Sequence, residues 1–157
     1  VKQGGRRCGC GHRGCIEAYC SKVAFVKALK KEVCKRGAKT SLPPEKFGPE
    51  SENIKSKHLA KAYIGEDATV RKVVNKGMLM LGVSAASVCA TIAPECIVLG
   101  GGVMAAMGQE IMPVFKASFE NHLFGIAPSK IALRLSSLGD SAVAVGAAIL
   151  AREKGKV

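Results

Sequence analysis

Hydrophobic residues recur with the periodicity of an α-helix in the first quarter of the chain. Between residues 15 and 36 an apolar side chain occurs every three or four positions, which predicts an amphipathic helix. Gly37 is placed to end that helix, because glycine is favoured just past a helix C-terminus. The apolar positions of the predicted helix are Ile16, Tyr19, Val23, Val26, Leu29 and Val33.

The next part of the chain predicts a loop and two helices. Prolines, a glycine and mixed charges predict a loop over 38–52, and a helix is expected over 54–63. Asp67 is a good N-cap for a longer helix. Residues 77–94 contain no charged side chain, a stretch of eighteen residues that touches the length of a membrane span. Its small and polar residues and the charges beside it favour a helix buried on all sides within an α/β domain.

Strand and helix patterns alternate in the last third of the chain. Short buried strands are predicted at 96–99 and 130–136, and helices at 109–122 and 142–152. This alternation indicates an α/β fold with parallel strands and helical crossovers. The last helix is apolar almost all round, so we expect it to be buried. Two strands are too few for a complete sheet, and we expect the missing strands upstream of Val1.

Composition and charge narrow the range of functions. The chain has 157 residues, of which 48% are hydrophobic and 4% aromatic, with no Trp, which argues against stacking of nucleic-acid bases. The formal net charge is +12, and residues 1–37 hold ten Lys and Arg against two acidic residues. This excess suggests a nucleic-acid surface, a site for a small anion, or simply a solvated Lys-rich helix.

Three of the seven cysteines lie close together in the sequence. Cys8, Cys10 and Cys15 have the spacing C-x-C-x4-C with glycines between them, which suggests a structural zinc site. His12 and Cys20 are candidates for the fourth ligand, but Cys20 lies five residues along the helix, about 140° round from Cys15, and should face elsewhere. A residue upstream of Val1 fits best, and three unliganded cysteines are the plainer alternative. An odd number of scattered thiols fits a reducing compartment such as the cytoplasm better than a disulfide framework.

Glu17 follows the cysteines directly, at the start of the first predicted helix. Two residues along a helix correspond to a rotation of about 200°, so Glu17 should face away from a metal held by Cys15. A glutamate in the first helical turn also complements the helix dipole. From spacing alone, a ligand-binding role and this ordinary role are equally supported.

A glycine-rich turn follows the strand at 96–99. Gly100–Val103 begins a match to the dinucleotide-binding pattern, but the acidic residue at the expected spacing, Glu120, falls inside a predicted helix. We therefore expect a strand–glycine–helix turn whose backbone can approach a nucleotide, or a tight turn without a ligand. Asp140, in Gly-Asp-Ser before the last helix, has the position of an N-cap.

Three blocks of the chain resemble the ROK family of repressors and sugar kinases. They are Cys8-Gly9-Cys10-Gly11-His12-Arg13-Gly14-Cys15-Ile16-Glu17, the run from Pro94 to Val103, and Leu138-Gly139-Asp140-Ser141-Ala142 with Val145-Gly146-Ala147-Ala148. The first block is highly specific, and the order and separation of all three match along nearly the whole chain.

The resemblance implies that residues 1–157 are the C-terminal lobe of a two-lobed protein with the actin-like ATPase fold, with a zinc knuckle at 8–17 and a nucleotide-side segment at 94–152. It implies zinc on Cys8, Cys10 and Cys15, completed by a histidine just before Val1. It assigns Glu17 to the hydroxyls of a hexose. It assigns the adenosine side of ATP to Gly100, Gly101, Gly102, Val103 and Asp140.

The function implied by the resemblance is ATP-dependent phosphorylation of a hexose with Mg²⁺, by a cytoplasmic protein that forms a homodimer and does not bind membranes. The family's phosphate-binding segments and catalytic aspartate precede the knuckle, so we expect residues 1–157 alone to be inactive. One alternative is a sugar-responsive transcriptional repressor of the same family, which would bind DNA. Another is a zinc-dependent nucleic-acid-binding module.

Overall fold

The computed structural model describes residues 1–48 and 54–155, which form six α-helices and two β-strands. The α-helices are α1 (Glu17–Cys20), α2 (Lys22–Lys30), α3 (Ser56–Ile64), α4 (Ala68–Ile92), α5 (Gly102–His122) and α6 (Ala142–Lys154). The strands are β1 (Cys96–Leu99) and β2 (Ala132–Leu135). A π-helical segment, Lys31–Lys35, continues α2, and short 3-10 turns occupy Pro44–Phe47, Pro128–Lys130 and Gly139–Ser141.

The helix predicted over 15–36 is divided into three pieces. Ser21 has an extended backbone, with φ −81° and ψ 161°, and its hydroxyl accepts a hydrogen bond from the amide of Ala24 at 3.1 Å. A serine that caps a new helix in this way competes with continuation of the old one. After the π-helical segment the chain ends its helical course at Gly37, whose φ is +68°. The predicted stop is therefore confirmed, and the predicted continuity is wrong.

Asp67 caps α4 and ties the preceding loop to it. Its carboxylate accepts hydrogen bonds from the amide of Val70 at 2.9 Å, from the hydroxyl of Thr40 at 2.7 Å and from the hydroxyl of Ser41 at 2.9 Å. Burial alone would raise the pKa of Asp67, but these hydrogen bonds to the ionised form outweigh burial and hold the pKa below its ordinary value. The predicted N-cap is confirmed, and it also anchors the loop. Part of the predicted loop, residues 49–53, lies outside the described residues.

The core is formed where α4 and α5 pack together, with α2 and α3 against them. A Cβ added at Gly82 of α4 would lie 2.6 Å from the Cβ of Ser118 on α5, so glycine is what permits this close approach. The hydroxyl of Ser118 donates a hydrogen bond to the carbonyl of Leu79 at 2.7 Å. The largest fully buried side chains include Phe25, Leu29, Leu59, Met78, Ile111, Phe115 and Phe119.

Only one face of α4 is buried. The helix has the length and composition of a membrane span, yet Gly82, Ala86 and Cys89 form a buried stripe toward the rest of the protein. On the other side Val88 is 54% exposed and Ile92 is 66% exposed. The expectation of a helix buried on all sides is wrong for the described residues, because the elements that pack on α4 cover a single face.

The two strands form a parallel pair in register from Cys96 opposite Ala132 to Leu99 opposite Leu135. This confirms the predicted α/β class with parallel strands. Helix α5 provides the crossover, and Met107, with φ −154° and ψ 27°, divides it into two helical parts. The predicted helix at 109–122 corresponds to the second part.

Helix α6 forms within the predicted range but is not buried. Val143 is 84% exposed and Leu150 is 53% exposed, and none of the residues whose burial is described in this helix is buried. Within the described residues α6 mainly contacts the turn Gly139–Ser141 that precedes it. The expectation of a buried helix is therefore wrong for this chain, since apolar composition does not supply a packing partner.

Candidate functional site

The three cysteines of the predicted zinc knuckle come together in one tight loop. The sulfurs of Cys8, Cys10 and Cys15 all lie within 4.8 Å of one another, and those of Cys10 and Cys15 are 3.6 Å apart. Zinc–sulfur bonds of about 2.3 Å would place the sulfurs of a tetrahedral site about 3.8 Å apart. The arrangement therefore fits three of the four positions around a zinc ion.

Backbone hydrogen bonds hold this loop in shape. The amide of Cys8 donates to the carbonyl of His12 at 2.8 Å, and the amide of Gly14 donates to the carbonyl of Arg6 at 2.9 Å. Gly14 has φ +80°, and a Cβ at this position would overlap the carbonyl group of Lys2. Glycine is required here both for its backbone conformation and for the close approach of another chain segment.

The loop is also attached to the first helix. The amide of Arg6 donates to the hydroxyl of Tyr19 at 2.8 Å, and the Arg6 guanidinium lies over the Tyr19 ring, 4.9 Å from its centroid. The same guanidinium donates to the carbonyl of Ala18 at 3.3 Å. Since Tyr19 is buried, α1 holds a fixed orientation relative to the knuckle.

The thiols of the cluster differ in acidity. Hydrogen bonds from the backbone and the side chain of His12 lower the pKa of Cys10 to about 6. Hydrogen bonding to Cys10, together with burial, raises the pKa of Cys15 to about 11. Cys10 is therefore the more acidic thiol of the pair, and the thiolate is the form of cysteine that binds a metal cation.

The structure separates the candidates for the fourth ligand. The Nδ1 atom of His12 lies 3.6 Å from the sulfur of Cys10, so His12 adjoins the cluster. The thiol of Cys20 instead donates to the carbonyl of Ile16 at 3.4 Å and does not join the three sulfurs. The sequence-based expectation that Cys20 faces away from Cys15 agrees with this geometry.

Glu17 begins α1 and lines a cavity of about 480 Å³. Its side chain is exposed, and within the described part of the chain it has no hydrogen bond or ion pair. Cys8 lines the same cavity, together with the cations Arg6, Arg7 and Lys27. The knuckle and the carboxylate therefore share one concave surface, through which a ligand could reach Glu17.

The glycine turn has the predicted strand–glycine–helix geometry. Gly100 follows β1, and Gly101 precedes the first residue of α5 with φ +91° and ψ 169°, a conformation that is almost restricted to glycine. A Cβ at Gly101 would meet no atom within 4 Å, so the turn borders open space. Glu120 lies inside α5, which confirms the argument against a dinucleotide-binding fingerprint.

The turn after β2 lies at the same edge of the sheet. The amide of Ser136 donates to the carbonyl of Leu99 at 2.8 Å, which sets the carboxyl ends of the two parallel strands side by side. Asp140 lies in the 3-10 turn Gly139–Ser141 that begins shortly afterwards, and its side chain lies outside the described part of the structure. Ligands of α/β proteins bind at this edge of a sheet.

The predicted residues thus fall into two groups, one at the knuckle and one at the ends of the strands. Sequence reasoning missed Arg6, which joins the knuckle to α1, and Lys31, which lines two neighbouring cavities. The excess of Lys and Arg in residues 1–37 was the available signal, but it does not identify single residues.

Comparisons with known proteins agree with the sequence blocks. The model of the ROK family matches residues 1–154. A glucokinase from Halalkalibacterium halodurans is 26% identical over 155 residues, which are 98% of this chain and 46% of the glucokinase. The chain therefore spans about half the length of this curated relative.

Solved structures show the same relationship. A crystal structure of a ROK family glucokinase from Streptomyces griseus, in complex with glucose and AMPPNP, has a TM-score of 0.76 and 27% identity, covering 98% of this chain and 49% of that one. The ROK hexokinase from Thermus thermophilus has a TM-score of 0.74 and 24% identity, covering 99% of this chain and 46% of that one. The chain therefore has the fold of part of these sugar kinases.

Proposed function

Because this chain belongs to the ROK family, we propose that it is the C-terminal lobe of an ATP-dependent hexose kinase of the glucokinase type. The observation that carries the proposal is the match of 98% of the chain to a glucokinase whose structure holds glucose and AMPPNP. The position of Glu17 in a cavity beside the cysteine cluster supports the same assignment.

In this proposal Glu17 binds the sugar. A carboxylate accepts hydrogen bonds from two neighbouring hydroxyl groups at once, and such charge-assisted bonds are among the stronger ones. Within the described residues no cation pairs with Glu17, so its oxygen atoms are available to a ligand. Tyr19 attaches α1 to the knuckle, so Glu17 is already held in place before the sugar binds. Sugar binding should therefore cost little conformational entropy.

We propose that Cys8, Cys10 and Cys15 hold a structural zinc ion, completed by a histidine just before Val1 as the family resemblance implies. The distances between the three sulfurs fit such a site. When bound, zinc would cross-link the loop. The residues of this chain then position the start of α1, and with it Glu17, through the Arg6–Tyr19 contact.

We propose that the nucleotide lies at the other group of residues, with its adenosine end against Gly100–Val103 and Asp140. The open space at Gly101 supports this placement, because a side chain there would occupy the room that a ligand needs. The first amides of α5 face the turn and are available to polar groups, since no side chain caps this helix.

The proposed reaction is transfer of the γ-phosphoryl group of ATP to a sugar hydroxyl. A general base removes the hydroxyl proton, the oxygen attacks phosphorus, and ADP leaves while Mg²⁺ neutralises the charge on the phosphates. By the family resemblance the base is an aspartate that precedes the knuckle, so this chain supplies substrate positioning. Effective transfer depends mainly on such positioning.

We further propose a cytoplasmic location and a homodimer. The seven free cysteines of the described residues support a reducing compartment. The exposed apolar residues on α6 support contact with further protein. A sugar-responsive repressor remains the alternative, and DNA binding without sugar phosphorylation by the intact natural protein would favour it.

The test of the proposed sugar site is Glu17→Gln in the intact natural protein. This change keeps the size of the side chain, removes its charge and replaces one acceptor with a donor. Loss of a charged hydrogen bond is worth about 1.5–3 kcal/mol, so affinity for the hexose should fall about ten- to a hundredfold in calorimetric titration. ATP affinity and zinc content should stay the same.

The matched control is Glu110→Gln, which removes an exposed carboxylate from α5, away from both groups. It should leave hexose affinity and ATP-dependent phosphorylation unchanged. Normal sugar binding by the Glu17 variant, with a lower melting temperature, would mean that Glu17 serves only as a charge at a helix start.

A further inference from the structure

A second cavity lies beside the one that contains Glu17. It has a volume of about 180 Å³ and lies between the π-helical segment after α2, the first half of α4, and Arg6. Arg6, Ala28 and Lys31 line both cavities, so the two are neighbours that share part of their lining.

The charges around this cavity are strongly unbalanced. Its lining contains five cationic side chains and one carboxylate. The cations are Arg6, Lys31, Arg36, Lys72 and Lys76, and the carboxylate is Glu32. A concave surface with a net charge of +4 attracts anions, because the charges act together on whatever enters.

Glu32 does not cancel this attraction, because it is already paired on both sides. Its Oε2 atom lies 3.1 Å from the amine of Lys72, and its Oε1 atom lies 2.6 Å from the guanidinium of Arg36. These two cations, Lys72 first, hold the pKa of Glu32 below its ordinary value. Glu32 therefore orients two cations at the rim.

The remaining cations are available to a ligand. Within the described residues neither Lys31 nor Lys76 forms an ion pair. Lysine amines present three donors each and suit the oxygen atoms of a phosphate group. The Arg6 guanidinium already donates to Ala18 with one nitrogen and lies over Tyr19, which fixes its position at the boundary of the two cavities.

The backbone at this cavity is unusual. Lys31–Lys35 is π-helical, so it departs from the regular α-helix that precedes it. Segments of π-helix are rare and occur frequently at functional sites. Here the segment presents Lys31, Glu32 and Arg36 to the same cavity, opposite Lys72 and Lys76 of α4.

The lining also has an apolar part, formed by Ala28, Val73, Gly77 and Met80 with Tyr19. This part suits the carbon skeleton of a small molecule. The small volume, about 180 Å³, favours a single phosphorylated metabolite over an extended nucleic-acid backbone, which would need a long groove.

We propose that this cavity binds the phosphate group of a small phosphorylated metabolite, such as a sugar phosphate, between Lys31 and Lys76. Because Arg6 joins the cavity to α1, an occupied site would also affect the position of Glu17. The binding itself does not rest on the proposed kinase function, because it is argued from the charges of this cavity. Arg6 and Lys31 also line the cavity that contains Glu17, whereas Lys76 lines the second cavity and not that one.

The experiment is calorimetric titration of the intact natural protein with inorganic phosphate and with glucose 6-phosphate, at low salt. We expect a dissociation constant of about 1 mM or below for at least one of them. Equal affinities would identify free phosphate as the ligand, and tighter binding of glucose 6-phosphate would identify a phosphate ester. The double variant Lys31→Ala/Lys76→Ala should weaken binding by about tenfold or more.

The control is Lys57→Ala/Lys61→Ala, which removes the same charge from exposed positions four residues apart on α3, outside the cavity. It should change the affinity by less than about twofold, as expected of distant screened charges. An equal loss in both double variants would show general charge attraction and overturn the proposal, as would the absence of binding by either probe.

Two further titrations distinguish binding in this cavity from binding of glucose 6-phosphate, as a reaction product, at the proposed sugar site. Glucose 6-phosphate is titrated into protein saturated with glucose, and into the Glu17→Gln variant. The proposal expects binding to persist in both. Complete displacement by glucose would place the phosphate ester at Glu17 and overturn the proposal, whether or not the kinase assignment holds.

Discussion

The knuckle segment, residues 1–20, and the strand–turn segment, residues 94–141, both depend on glycines with positive φ, but for different reasons. At Gly14 a side chain would overlap the carbonyl of Lys2, within the same segment. At Gly101 and Gly139 a Cβ would meet nothing within 4 Å. The knuckle segment is thus packed against itself at Gly14, although Gly4 and Gly11 are open, whereas Gly101 and Gly139 border space that the described residues do not fill.

The apolar side chains show the same contrast. Tyr19, which anchors the knuckle, is 7% exposed, whereas Val98 of β1 is 63% exposed and Leu138, in the turn after β2, is 49% exposed. Packing of Tyr19 within this chain therefore anchors the knuckle. The ends of the strands expose apolar side chains that the described residues do not cover, and a ligand or further protein could bind there.

The largest expected effect is at the knuckle, where Cys10→Ser should abolish zinc binding. Purified, unchelated protein should contain about one zinc ion per chain, and the variant should contain less than about 0.2, because a structural site depends on all its ligands. Metal analysis by mass spectrometry gives the measurement. Cys34→Ser, at an exposed cysteine outside the cluster, should keep the full zinc content. A wild-type protein without zinc would contradict the knuckle assignment.

The contrast between the glycines predicts a difference in stability. Gly14→Ala combines a left-handed backbone with a steric overlap and should cost about 2–5 kcal/mol in the free energy of unfolding. Gly101→Ala adds only backbone strain and should cost about 1–3 kcal/mol. Urea unfolding of both variants measures the difference. If Gly101→Ala proves the more damaging of the two, the space beside it is filled in the native protein.

The smallest effect is expected on the exposed face of α6. Val143→Ser should change the unfolding free energy of the 157-residue chain by less than about 0.5 kcal/mol, because this side chain is 84% exposed. Phe115→Ala in the core should cost about 3–5 kcal/mol in the same assay. A loss above about 2 kcal/mol for Val143→Ser would show that other protein covers α6, as in a dimer.

Local rules explain most of what could be predicted from the sequence. Asp67 as an N-cap and Gly37 as a stop depend on a few neighbouring residues, and both are found where the pattern placed them. The parallel pairing of β1 and β2 follows from the alternation of strand and helix. The close approach of Cys8, Cys10 and Cys15 follows from short spacing with glycines between them.

What the sequence by itself determined is therefore most of the helices, both strands, the close approach of the three cysteines and the strand–glycine–helix turn, because hydrogen bonds and backbone conformation there are local. Tertiary structure alone decided which apolar faces are covered: one face of α4 is buried and α6 is exposed, although both are apolar in sequence. It also decided that Arg6, Lys31 and Lys76 meet at one cavity. The physical reason is that burial and charge clustering depend on which segments pack together, and composition does not encode that choice locally.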